Sequence, residues 1–256
     1  MKQKLEELYR KYNRPEFIHP DPLEFVHCYK DPADREIVAL VASSLAYGRV
    51  GQILKSVACV LGPMVPSPSA FVATSSLETF QQGFYNFKHR FATGDHLASL
   101  LMGAQQVLKK HGSLGACFMA GMQDDDTVLP ALTRFATELT ACAGGRVGHL
   151  VPDPDRGSAC KRLNLFLRWM VRSDEVDPGG WKSVSPSKLI VPLDTHMHRI
   201  CLALGLTTRQ QADIRTSLEI TYAFREIAPD DPAKYDFALT RLGMRGDEEL
   251  SAFLHA

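Results

Sequence analysis

The amino-acid sequence predicts an all-α protein. Apolar residues recur at helical spacing through most of its 256 residues, whereas the alternation of apolar and polar residues that is typical of strands is limited to short pieces such as KLIVP. Stretches rich in glycine and proline separate the helical segments and end them. We expect one unit over residues 1–256, built as two helical subdomains with a cleft between them.

The helices of the N-terminal half are predicted from their caps and their periodicity. A first helix is expected over residues 2–12. Asp31 and Pro32 form a typical N-cap and first helical residue, and a second helix follows them. Gly48 and Gly51 interrupt the apolar pattern after that helix. The further helix-like segments before residue 144 are 52–61, 94–111, 114–121 and 127–143.

The composition changes at residues 143–159, which have the sequence AGGRVGHLVPDPDRGSA. The glycines, prolines and charged residues predict a long irregular connector, after which a helix begins at Lys161. Two more helices are expected, one over 210–227 and one over 233–242. The second of these would begin after a cap at Asp231-Pro232 and stop at Gly243. We expect the connector 144–161 and the turn 192–199 to line the cleft.

The bulk composition is that of a soluble globular protein. Hydrophobic residues make up 45% and charged residues 23% of the chain, and the apolar runs are too short for a membrane span. The six cysteines include no CxxC pair, so we expect reduced thiols in a cytoplasmic protein, with neither a metal site nor a cofactor. The N-terminal segment MKQKLEELYRKY lacks the apolar core of a secretory signal. A formal net charge of zero argues against coating of nucleic acid through bulk charge, but is compatible with a local basic face.

An aspartate precedes a helix in the segment IVPLDTHMHRICLALGL, residues 190–206. As an N-cap, Asp194 would accept hydrogen bonds from the first backbone N–H groups and face the positive end of the helix dipole. Capping alone, worth about 1 kcal/mol, is a sufficient explanation for an aspartate here. Thr195 could also cap the helix, however, which would leave Asp194 available for a chemical role.

A lysine opens the helix that follows the connector. Lys161 comes after RGSAC and is accompanied along the helix by Arg162, Arg168 and Arg172. A neutral lysine amine is a nucleophile, whereas a protonated one faces solvent or binds phosphate. Taken alone, Lys161 fits either role.

Together these segments resemble the helix-hairpin-helix DNA glycosylase superfamily. The stretch PLDTHMHR is similar to the family's VDTH segment, whose catalytic aspartate matches Asp194, with Thr195, His196 and Arg199 in step. The lysine nucleophile of the bifunctional members matches Lys161, although PDPDRGSACK replaces the usual hairpin PGVGxKTA. The lysine-to-aspartate spacing is closer to that of the archaeal 8-oxoguanine DNA glycosylases than to the endonuclease III type. Over nearly its full length, the chain resembles an uncharacterised bacterial family (DUF2400-like) that is assigned to this superfamily.

The resemblance implies an enzyme of base excision repair, a DNA glycosylase with AP lyase activity. Its partner would be double-stranded DNA that contains a damaged base such as 8-oxoguanine, and the enzyme would act on the nucleoid as a monomer. The damaged base would be flipped into a pocket. Lys161 would attack the sugar at C1′ and form a Schiff base, while Asp194 would stabilise the positive charge that develops on the sugar.

Several residues are candidates for contacts with the DNA. A helix N-terminus can hold a phosphate, and the helix end at 158–161 offers one. Tyr47, where an early helix breaks, could be a wedge in the gap left by a flipped base, or simply a core aromatic. The full set of predicted DNA contacts is Arg156, Gly157, Ser158, Arg162, His198, Arg199 and Tyr47. His196 and His198 are two residues apart and do not share a helix face, which argues against a metal site there.

Two other functions are compatible with the sequence. One is a non-catalytic DNA-binding helical module that recognises damaged or distorted DNA. The altered hairpin and the zero net charge favour this alternative. The other is a helical scaffold for protein interactions, which fits the zero net charge but leaves the PLDTH segment unexplained.

Overall fold

The computed structural model describes residues 1–244 and residue 253, and it confirms the all-α prediction. Within these residues there are thirteen α-helices, several short 3-10 helices and a single two-stranded sheet. The chain divides into two compact units. Unit 1 comprises Met1–Ile18, Asp126–Val128 and Pro154–Ala256, and unit 2 comprises His19–Asp125 and Leu129–Asp153.

Unit 2 is a helical unit with one small hairpin. Its elements are α2 (Leu23–His27), α3 (Pro32–Ser44), α4 (Val50–Leu61), α5 (Pro68–Thr74), α6 (Leu77–Gly83), β1 (Lys88–His89), β2 (Ala92–Thr93), α7 (Gly94–His111), α8 (Leu114–Gly121) and α9 (Leu129–Cys142). The strands pair antiparallel, with His89 opposite Ala92. Helices α7 and α9 approach closely at Gly103, where an added Cβ would lie 2.5 Å from the carbonyl oxygen of Leu139.

Local sequence signals set the helix starts of unit 2 as expected. The side chain of Asp31 accepts hydrogen bonds from the backbone N–H groups of Ala33 and Asp34, and Pro32 is the first helical residue of α3. Gly48 has a φ of +97° and lies between α3 and α4, in a conformation that residues with a Cβ rarely adopt.

Unit 1 is built around the helices that follow the connector. With α1 (Lys2–Tyr12), it contains α10 (Lys161–Val171), α11 (Thr195–Ala203), α12 (Ile214–Ile227) and α13 (Asp236–Met244). Apolar side chains of α1, α11, α12 and α13 form one buried cluster, which includes Leu5, Ile200, Phe224 and Leu239. The helix predicted over 210–227 begins later, at Ile214, because Asp213 caps it by accepting from the backbone N–H of Thr216 at 2.9 Å.

A buried ion-pair network ties α10 to the rest of unit 1. The guanidinium of Arg168 is 3% exposed and donates to Asp177, with the closer nitrogen 3.0 Å away, and to Asp236 at the start of α13. Burial raises the pKa of the Asp236 carboxyl, and the positive charge of Arg168 acts against that rise. Paired charges therefore join α10 to α13 inside unit 1.

Arg172, the residue directly after α10, binds three carboxylates, and one of them corrects a prediction. It donates to Asp174 at 2.8 Å, to Asp231 at 2.9 Å and to Asp177. The prediction that Asp231 caps a helix over 233–242 is wrong, because α13 begins only at Asp236 and runs past Gly243. The sequence pattern could not show that the Asp231 carboxylate binds Arg172, which is far from it in the chain.

The described helices were also compared with the requirements of a membrane span. Within those residues, no single helix is both long and apolar enough to cross a membrane, although Val50–Met64 and Pro68–Thr74, bent by 64° at their break, satisfy the length and composition criteria as a pair.

Candidate functional site

Lys161 and Asp194 lie together in unit 1. Lys161 is the first residue of α10 and Asp194 is the N-cap of α11, so each stands at a helix N-terminus. The lysine Nζ is 3.7 Å from Oδ2 of the aspartate. The two side chains are 29% and 36% exposed, which leaves the pair accessible from solvent. The predicted amine and carboxylate are thus within reach of one another, although they are far apart in the sequence.

The two oxygens of Asp194 have different partners. Oδ1 accepts hydrogen bonds from the backbone N–H groups of His196 at 3.0 Å and Met197 at 2.9 Å. Oδ2 is the oxygen that faces Lys161. The alternative in which Thr195 caps the helix is therefore not needed, because Asp194 caps α11 with one oxygen and presents the other to the lysine.

The backbone before Lys161 turns sharply. Gly157 has a φ of +79°, and Cys160, a residue with a side chain, is left-handed at φ 47° and ψ 37°. Such a conformation costs on the order of 1 kcal/mol for a residue that is not glycine. The hydroxyl of Ser158 accepts from the N–H of Cys160 at 3.3 Å and so supports the turn. The connector therefore places the start of α10 through a specific turn.

The same turn is fixed to a neighbouring helix. Ser158 forms an antiparallel bridge with Asp213, and the N–H of Ile214 donates to the carbonyl of Gly157 at 3.0 Å. Inside α10, Asn164 is buried and donates to the carbonyl of Ala159 at 3.0 Å. The start of α10 is thus held on both sides, by the N-terminus of α12 and by a side chain of its own second turn.

A buried carboxylate lies within electrostatic range of the pair. Burial raises the pKa of Asp236, Arg168 lowers it, and the charges of Asp194 and Lys161 add smaller effects of opposite sign. Arg168 is two helical turns after Lys161 on α10 and therefore on the same face. The sequence analysis placed Arg168 on the helix of Lys161, and the structure shows that its partner there is Asp236.

The structure separates the predicted DNA contacts of unit 1 into two kinds. Arg156 and Arg199 are exposed, Arg162 is partly exposed, and Gly157 and Ser158 form the turn described above. His198 is different, because its ring is 8% exposed and its Nε2 lies 2.8 Å from the carbonyl oxygen of Arg209. The ring of His198 joins α11 to the 207–209 loop, and its predicted contact with DNA stays a prediction.

Tyr47 lies in unit 2 and is held between two histidines. Its hydroxyl donates to the carbonyl of His89 at 2.8 Å and lies 2.7 Å from Nε2 of His149. Both imidazole rings also contact the tyrosine ring edge-to-face. These contacts are those expected of the alternative, a core aromatic, and the wedge role stays a prediction.

The exposed aromatic near this cluster is Phe91. It occupies the turn between β1 and β2, is 71% exposed, and contacts the ring of His149 edge-to-face. Arg90 precedes it with a positive φ of 53°, and its guanidinium lies 5.6 Å from the centre of the Phe91 ring. Tyr85, earlier in the same segment, is 83% exposed, so two aromatic rings of this segment face solvent.

Comparison with known proteins identifies a family without an assigned function. The family model described as "Protein of unknown function (DUF2400)" matches residues 21–245. No curated protein and no solved structure matched the chain.

Proposed function

The chain belongs to the DUF2400 family, and we propose that it is a DNA glycosylase with AP lyase activity that removes an oxidised purine, such as 8-oxoguanine, from double-stranded DNA. One observation carries the proposal. The amine of Lys161 and the carboxylate of Asp194 lie 3.7 Å apart at two helix N-termini, with both side chains partly exposed. The resemblance to the helix-hairpin-helix glycosylases matches a nucleophile and a catalytic carboxylate to these same two positions.

The proposed chemistry begins on a nucleotide flipped out of the duplex. The lone pair of the neutral Lys161 amine forms a bond to C1′, the glycosidic bond breaks, and the base leaves with that electron pair and takes up a proton. The lysine nitrogen loses a proton, the C1′–O4′ bond opens, O4′ keeps that electron pair and takes up a proton, and a Schiff base links the lysine to the sugar. Removal of a proton from C2′ then expels the 3′ phosphate by β-elimination, and hydrolysis of the imine returns the free lysine.

Asp194 is suited to stabilise the sugar as it becomes positive. Hydrogen bonds from two backbone N–H groups fix Oδ1, so the orientation of the carboxylate does not have to change during the reaction. A charge that is already oriented stabilises a transition state without a cost for reorganisation. Oδ2, which faces Lys161, is in place to accept the proton that the amine loses.

The DNA contacts proposed for unit 1 are Arg156, Arg162 and Arg199, together with the backbone turn at Gly157 and Ser158. Arginine side chains and helix N-termini bind phosphate, and a local basic face does not require a positive net charge. In unit 2, the exposed Phe91 ring with the adjacent Arg90 forms a suitable surface for stacking on a base.

The nucleophile is tested by covalent trapping. The protein is incubated with a duplex that contains 8-oxoguanine, and borohydride is added to reduce the Schiff base. We expect a stable protein–DNA product that Lys161→Gln abolishes. The matched control is Lys182→Gln, which removes an exposed lysine of the same unit and should trap DNA as the parent does.

A variant of the aspartate separates chemistry from stability. Asparagine is as good an N-cap as aspartate, so Asp194→Asn should keep α11 intact while removing the charge. We expect base release to slow by about 100-fold or more, the scale found when a preorganised electrostatic group is lost. An Asp194→Asn variant with parental base release would contradict the role of the carboxylate.

The same experiment distinguishes the alternative functions. The substrates are duplexes that contain 8-oxoguanine, uracil, hypoxanthine or an alkylated base. If the protein binds such duplexes specifically but releases no base and is not trapped, it is a non-catalytic damage-recognition module. A protein that contacts phosphates binds duplex DNA with an affinity that falls steeply as the salt concentration rises. A scaffold protein would not show such salt-dependent binding.

A further inference from the structure

A second cluster of reactive side chains lies within unit 2, on three neighbouring helices. His111 is the last residue of α7, Cys117 lies on α8 and Glu138 lies on α9. The ring nitrogen, the sulfur and a carboxylate oxygen all lie within 4.8 Å of one another. These three atom types, N, S and O, are the ligands that zinc takes in proteins.

A fourth candidate ligand stands next to the three. Cys142 is four residues after Glu138 on α9, and residues with that spacing are neighbours on one face of a helix. The three ligand atoms that lie within 4.8 Å of one another do not include its sulfur, so the Cys142 thiol has to move toward the ion when it binds. The thiols of Cys117 and Cys142 are both free.

Local structure explains why these side chains meet. Gly112 ends α7 with a φ of +85°, and Ser113 then caps α8 by accepting from the N–H of Ala116 at 2.9 Å. This tight turn brings the start of α8 back beside the end of α7. The close approach at Gly103 packs α7 against α9, and the side chains of Lys110 and His111 at the end of α7 reach Glu138.

The carboxylate already has cationic partners. Oε1 of Glu138 lies 2.6 Å from Nζ of Lys110 and 2.7 Å from Nε2 of His111. A metal ion would replace the histidine contact, because the ring nitrogen would then bind the metal. Lys110 would remain on the carboxylate as an outer partner, the kind of contact that orients a metal ligand.

We propose that His111, Cys117, Glu138 and Cys142 bind one zinc ion. Zinc bonds of about 2.0–2.3 Å in a tetrahedron place ligand atoms roughly 3.3–3.8 Å apart. The 2.7 Å contact between His111 and Glu138 therefore has to open by about 0.6 Å, and the longest separations, at most 4.8 Å, have to shorten by about 1 Å. Binding releases a proton from each thiol. Two thiolates and one carboxylate carry three negative charges, which the zinc ion and Lys110 balance.

Four protein ligands leave no open position on a tetrahedral zinc ion, so the site is structural and not catalytic. The ion would join the ends of α7, α8 and α9, which are otherwise connected by short turns and side-chain packing. The four residues follow no zinc-binding spacing in the sequence, and for this reason the sequence analysis predicted no metal.

The test uses the full chain with reduced thiols. Zinc is measured by elemental analysis and by competition with a chromophoric chelator, and cobalt is substituted to record the charge-transfer absorption that thiolate ligands produce. We expect one zinc per chain and a thiolate–cobalt band. Cys117→Ser should abolish stoichiometric binding, and Lys110→Ala should weaken it about 10–100-fold, as losses of outer partners do.

The control is Cys59→Ser, which removes an exposed thiol on α4 outside the cluster and should bind zinc as the parent does. Cys142→Ser tests the fourth ligand, and unchanged affinity and cobalt spectrum would overturn its assignment. If the cysteine variants fail to fold, the cobalt spectrum of the parent decides. A parent protein without a thiolate–cobalt band, or without bound zinc at micromolar free metal, would overturn the proposal.

Discussion

The buried arginine that anchors α10 allows a sharp test of the structure. In Arg168→Met, a side chain of similar length loses its charge and its hydrogen bonds to Asp177 and Asp236. Asp177 keeps Arg172 as an ion-pair partner. Asp236 loses the guanidinium that neutralises it, at a position that is only 5% exposed.

The expected cost follows from the burial of the pair. Removal of one partner from a buried ion pair typically destabilises a protein by about 3–5 kcal/mol, because the remaining charge has neither water nor a counterion. The matched control, Arg14→Met, breaks a pair with Glu16 whose side chains are 57% and 64% exposed. Exposed pairs contribute at most about 1 kcal/mol, so the two variants should differ severalfold in their loss of unfolding free energy.

The deficit of Arg168→Met should also depend on pH. Burial already raises the pKa of Asp236 in the folded protein, with Arg168 acting against it, and loss of Arg168 raises that pKa further. A carboxyl whose pKa is higher in the folded state binds a proton more readily there than in the unfolded chain. Acidification therefore favours the folded state of the variant, and its deficit should shrink as the pH falls.

The assay is unfolding in urea followed by tryptophan fluorescence. Trp169 and Trp181 are the two tryptophans of the chain and both lie in unit 1, so the signal reports on the unit that contains the network. A loss of stability in Arg168→Met no larger than in Arg14→Met would refute the reasoning. A deficit that grows on acidification would refute the assigned pKa direction of Asp236.

Three further predictions concern unit 2. Phe91→Ala should weaken binding to lesion-containing DNA by about 5–150-fold, which is the contribution of one stacked base. The control is Tyr85→Ala, which removes an aromatic side chain that is 83% exposed and should leave the affinity unchanged. A fluorescence-anisotropy titration measures both affinities. Glu36 is buried and accepts two backbone N–H bonds at the start of α8, at 2.7 and 3.0 Å, so Glu36→Gln should lower the free energy of unfolding by about 1–3 kcal/mol in chemical denaturation. Gly103→Ala should cost about 1–3 kcal/mol in the same assay, because the new methyl group meets backbone of α9; an unchanged stability would contradict the close approach of the helices.

The sequence alone predicted the local features of the fold. The caps at Asp31 and Asp194 and the spans of α1, α7 and α8 follow from signals within a few residues, because a cap bonds to its own first turn. The role of Asp194 as a capping carboxylate needed no tertiary information for the same reason.

The tertiary structure decided which distant residues meet. The 3.7 Å contact of Lys161 with Asp194 depends on how the connector turns at Cys160 and where α11 packs. Sequence periodicity could not show that His198 bonds to the Arg209 carbonyl or that Tyr47 is held by two histidines.

The physical reason lies in the range of the interactions. Helix caps and hydrophobic periodicity act over one or two turns, so the sequence determined the helical fold class and the position of a carboxylate at a helix mouth. Ion pairs, buried hydrogen bonds and metal-ligand clusters join residues that are far apart in the chain, and their geometry exists only once the helices have packed. The sequence therefore determined what each segment is, and only the tertiary structure decided that Asp231 binds Arg172, that Phe91 lies exposed in a hairpin turn, and that His111, Cys117 and Glu138 come together.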